Sequence, residues 1–64
     1  MTEKTLVKLA EVIREIDPRM RFESIEQTEN GDYRLVTSSH SRREYLIDRV
    51  DFRVKWIGRH QWGN

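Results

Sequence analysis

Between Lys4 and Ile16 the apolar residues Leu6, Leu9, Ala10, Ile13 and Ile16 recur every three or four positions. That spacing collects them on one face of a helix. Val12 widens the stripe, while Lys4, Lys8, Glu11 and Glu15 gather on the opposite side. Thr2 can cap the first turn and Glu3 suits its dipole. Pro18 closes the run, because the residue before a proline is biased away from helical geometry. The pattern predicts a helix over about residues 3–16.

The period then changes. Met20–Thr28 and Tyr33–Ser38 read as strands, with Glu29-Asn30-Gly31-Asp32 between them. Asn-Gly in such a place is a strong hairpin signal, since both residues accept positive φ. A two-residue turn would set Glu29 opposite Asp32, two like charges. A three-residue loop, Glu29-Asn30-Gly31 with a bulge, sets Glu26 opposite Arg34 and Ile25 opposite Leu35, and cross-strand pairing energies favour it. In either register apolar groups fall on both faces, since Phe22 and Ile25 differ in parity, as do Leu35 and Val36. One helix covers one sheet face, so the leftover apolar groups are candidates for a contact surface.

Residues 41–58 carry two conflicting signals. Ser41-Arg42-Arg43-Glu44 has the spacing of a capping box, which would start a helix. Read as a strand over about 50–57, Val50, Phe52, Val54 and Trp56 point one way and Asp51, Arg53 and Lys55 the other, a clean alternation of β-branched and aromatic residues. No Gly, Pro or Asn lies between 42 and 57, which argues against a tight hairpin there. The strand reading gives an α+β domain with one N-terminal helix on a three-stranded antiparallel sheet, α-β-β-β. The capping-box reading gives α-β-β-α.

Length makes this a single domain, residues 1–64, whose core must draw on most of its 23 apolar residues. A chain this short buries only about 60% of its unfolded surface, so a second copy would usefully enlarge the core and a homodimer is possible. There is no cysteine, hence no disulfide framework or thiolate metal site. The charged start Met1-Thr2-Glu3-Lys4 does not read as a signal peptide, and no stretch suits a membrane span. Those features together suggest a cytoplasmic protein. The net charge of +1 divides unevenly: residues 1–32 hold five Lys/Arg against eight Asp/Glu, and residues 33–64 hold seven against three. The halves therefore carry −3 and +4.

Candidate chemistry is sparse. His40 sits among Ser38, Ser39 and Ser41, but neighbours in one loop rarely converge on a reacting atom and no oxyanion-hole motif accompanies them. Asp48 and Asp51, flanked by Arg49 and Arg53, read as solvated ion pairs rather than paired catalytic carboxylates. His40 and His60 match no metal-ligand spacing, and the isolated Gly31, Gly58 and Gly63 form no phosphate loop. No cofactor, metal or small-molecule substrate is expected, and no catalytic residue. The acidic hairpin suggests a protein contact through Glu26, Glu29 and Asp32, joined by Ile25, Val36 and the tail residue Trp62, a residue type enriched at binding hot spots. The expected function is a non-enzymatic interaction module, an accessory or regulatory protein that binds another protein or itself through its sheet. The alternative is nucleic-acid binding by Arg42, Arg43, Arg53, Lys55 and Arg59, with Trp62 stacking on a base. Trp56 is expected in the core.

Overall fold

Thr2 does cap the helix. Its hydroxyl oxygen accepts the backbone N–H of Thr5 at 3.2 Å, and helix α1 runs Glu3–Ile16 with Glu3 in its first turn and Arg14 in its last. The Asp17 N–H closes it on the Ile13 carbonyl at 2.8 Å, one residue before Pro18. In this computed structural model, which describes residues 2–39 and 42–59, four strands follow: β1 (Arg21–Gln27), β2 (Tyr33–Ser38), β3 (Arg42–Ile47) and β4 (Val54–Arg59). They form one antiparallel sheet in the order β1-β2-β3-β4. The class is α+β as the periodicity implies, with four strands in place of three.

α1 lays Leu9 and Ile13 on one sheet face, where they meet Met20, Leu35, Tyr45 and Ile47 as the buried core. Ala10, Val12, Phe22, Ile25, Tyr33, Phe52 and Val54 pack around it. The register of the first hairpin is the three-residue one: Glu26 faces Arg34 and Ile25 faces Leu35. Gly31 takes φ +89°, and its N–H donates to the Thr28 carbonyl at 2.9 Å, as a loop ending in a left-handed residue requires.

Two bulges change which side chains share a face. In β1 the register shifts between Phe22 and Ser24, so Glu23 is the extra residue and Phe22 and Ile25 both face the helix despite their opposite parity. In β4, Ile47 pairs Val54 while Leu46 pairs Trp56. Lys55 is extra there, and Val54 and Trp56 lie on opposite faces. Val54 packs on the core, whereas Trp56 is 51% exposed on the far face. The single alternation expected over residues 50–57 is thus replaced by a turn and a shorter strand.

That turn, residues 48–53, is built without Gly, Pro or Asn. The Asp48 carboxylate accepts the N–H groups of Val50 (2.7 Å) and Asp51 (3.3 Å), which is how Asp makes a turn from its own side chain. The Asp48 N–H donates to the Arg53 carbonyl and the Phe52 N–H to the Asp48 carbonyl. Phe52 adopts φ +59°, a conformation costing a non-glycine residue roughly 1–2 kcal/mol. Its ring is held against Tyr33, centroids 5.8 Å apart, with the Lys8 ammonium 5.2 Å above it. The capping-box reading of 41–44 fails for a related reason. Tyr45 and Ile47 alternate onto the core while Glu44 and Leu46 face away, and pairing on both sides by β2 and β4 outweighs one helix cap.

Candidate functional site

Helix and sheet leave one broad surface uncovered, the sheet face turned away from α1. Pairing arranges it in three rows: Glu26–Arg34–Leu46–Trp56, then Ser24–Val36–Glu44–Gly58, then Arg21–Ser38–Arg42. Its charges are largely paired with one another. Arg34 lies 3.4 Å from Glu26 and 3.5 Å from Glu44. Arg42 grips both oxygens of Glu23 with bonds of 2.7–3.0 Å, the bidentate geometry that makes arginine–carboxylate pairs strong. Three arginines (21, 34, 42) stand against three glutamates (23, 26, 44), so the face is electrically neutral.

The apolar part of this face is Val36, Leu46 and Trp56. Val36 is only 7% exposed, and Leu46 is half-buried. The Trp56 indole lies along its own strand over Gly58, where any Cβ would collide with the ring. A glycine two residues on therefore lets a large aromatic lie flat on the sheet rather than stand into solvent. The result is a half-exposed indole beside Leu46, on a face that also carries Val36 and is bordered by charged side chains.

A second cluster joins the two hairpin loops. Asp32 is 5% exposed. Its carboxylate accepts the Arg49 N–H at 3.1 Å and the Lys55 ammonium at 2.9 Å. The Arg49 guanidinium packs on Gly31 and donates to the Asn30 carbonyl. Those contacts hold the Asp32 carboxyl below its ordinary value, the Lys55 hydrogen bond first and the Arg49 N–H second. The same bond, with the charge of Asp32, raises Lys55. Asp48 is lowered by the N–H groups of Val50 and Asp51. The β4 bulge is what aims Lys55 at this latch.

The residues singled out from sequence are thus separated. Val36 lies on the open face and Glu26 is exposed there, paired with Arg34. Glu29 is exposed in the first loop. Ile25 instead packs on the core beneath α1, and Asp32 is a buried brace between loops rather than an exposed acidic tip. Of the basic set, Arg42 is tied to Glu23, Lys55 to Asp32, and Arg53, with its side chain 85% exposed, lies 3.6 Å from Asp51. Arg43 and Arg59 face each other across β3 and β4. His40, Ser41, His60 and Trp62 lie outside the described residues. Trp56, expected in the core, is the aromatic of the open face; Gly58 at i+2 was the available signal for it.

Among the described residues no group of three or more His, Asp or Glu side chains could hold a metal ion, and no helix is long and apolar enough to cross a membrane.

No protein-family model, curated protein or solved structure matches this chain.

Proposed function

We propose that this domain is a non-enzymatic protein-interaction module whose contact surface is the open sheet face. One observation carries the reading: Trp56 lies over Gly58, half-exposed and paired with Leu46 across β3 and β4, on the face that also carries Val36. Aromatic residues of this kind are enriched at the energetic centres of interfaces, where a rim of polar groups excludes water. The charges next to this centre, Arg34 with Glu26 and Glu44, are paired with one another, so a partner would meet a neutral border and an apolar centre. A second copy of the chain presents such a surface, as does another protein.

The test compares the wild type with Trp56→Ala in two measurements. Sedimentation over a concentration series reads self-association, and affinity capture from the source cells reads other partners. The expected result is that a dimer, or a reproducibly captured protein, is lost in the variant while far-ultraviolet circular dichroism is unchanged. A concentration-independent monomer together with an identical captured set for both proteins would overturn the reading.

A further inference from the structure

The end of the sheet near the helix C-terminus gathers arginines from both halves of the chain. Pairing aligns Arg21, Ser38 and Arg42 on the last row of the open face, and Phe22, Thr37, Arg43 and Arg59 on the last row of the helix face. Arg19 lies just before β1, at the same end, because Ser39 after β2 donates to Asp17 at 2.6 Å. Five of the nine arginines thus sit on one rim about 14 Å across, the width of four strands. Arg42 is neutralised by Glu23. Among the described residues, Arg19, Arg21, Arg43 and Arg59 enter no ion pair.

Two features mark this rim as more than a solvated edge. Arg43 and Arg59 are direct cross-strand partners, and like charges so placed are destabilising unless something negative lies between them. At the opposite corner, Arg19 and Arg21 line a shallow depression with Ser38 and Ser39. Guanidinium and hydroxyl groups together are the donors that contact nucleic-acid phosphates; here the two guanidinium groups and Ser38 supply them, because the Ser39 hydroxyl is donated to Asp17. Cations spaced along a rim, rather than gathered round one cavity, suit a strand that carries one charge per unit.

We propose that this arginine rim binds the phosphodiester backbone of single-stranded nucleic acid, through Arg19 and Arg21 at one corner and Arg43 and Arg59 at the other. The site lies apart from Trp56 and goes beyond the protein-contact reading. Either can fail without the other.

The probe is a fluorescently labelled 20-nucleotide single strand of mixed sequence, titrated with the full chain at 50 and 200 mM salt. Four neutralised phosphates give a log–log salt slope of about −2.8, so binding should weaken roughly 50-fold between the two conditions. The double variants R19A/R21A and R43A/R59A should each bind more weakly at 50 mM and fall only about sevenfold, the slope for two phosphates. R53A, at the far end of the sheet, should behave as wild type. Thermal melts check that every variant is folded. Absence of binding at 50 mM salt would overturn the proposal, as would an equal loss in R53A. Equal affinity for a poly-glutamate peptide would also overturn it, assigning the rim to an acidic protein instead.

Discussion

Single side chains in this domain do work that their residue type alone does not announce. Tyr45 is fully buried under the helix, and its hydroxyl has no hydrogen-bond partner among the described residues. A buried hydroxyl left unpaired costs about 1–3 kcal/mol, so Tyr45→Phe should stabilise the fold by about 1 kcal/mol, read as a higher urea midpoint. A destabilised variant would mean that the hydroxyl is bonded after all. Gly58 is kept small by the indole above it, not by its backbone angles. Gly58→Val should therefore lift Trp56 off the sheet and shift its indole signals in a proton–nitrogen spectrum, with the fold retained. Unmoved indole signals would show that the ring does not rest there.

Among the elements, Asp32 ties the two loops at one end together, accepting from the Arg49 N–H of the second loop and from Lys55 of β4. Both Asp32 and Asp48 are depressed below about 4, their ordinary range. The stability they add is therefore complete above that pH and lost as pH falls through their lower folded values. Lys55 is raised, so its share is complete below about pH 10.4 and lost as pH rises through its folded value. Thermal midpoints of wild type and Asp32→Asn should differ at pH 7, with the wild type higher, and converge towards pH 2. A gap that stays constant down to pH 2 would show that charge is not what joins the loops. The second hairpin was hidden from the sequence because its turn relies on an aspartate carboxylate and a left-handed Phe52, not on Gly or Asn. The first was legible because Asn30-Gly31 announces its backbone, and the pairing of Glu26 with Arg34 selected the register.

At the scale of the whole molecule, six side chains form the apolar centre. A chain of this size rarely holds more than about 3–5 kcal/mol of net stability. Leu35→Ala, at a fully buried position of a central strand, should cost about 2–5 kcal/mol. That is enough to leave much of the chain unfolded at 25 °C by circular dichroism; a cooperative melt close to the wild type would mean that stability resides elsewhere. So small a core also leaves half the sheet bare. The charge division noticed between sequence halves is redistributed by folding: Arg34, Arg42 and Lys55 from the basic half pair with Glu26, Glu23 and Asp32 from the acidic one. Four arginines that enter no ion pair among the described residues, Arg19 and Arg21 from the first half and Arg43 and Arg59 from the second, collect at one end.

The sequence by itself determined what depends on neighbours along the chain: the helix over residues 3–16, the first hairpin and its register, and the mixed α+β class. Only the tertiary structure decided which face each strand residue takes, because single-residue bulges at Glu23 and Lys55 invert parity and leave no mark in composition. It likewise decided that Trp56 is exposed, Asp32 buried, and Arg43 adjacent to Arg59. Those outcomes depend on which strands pair across the sheet, and residues distant in sequence meet only when the fold is complete.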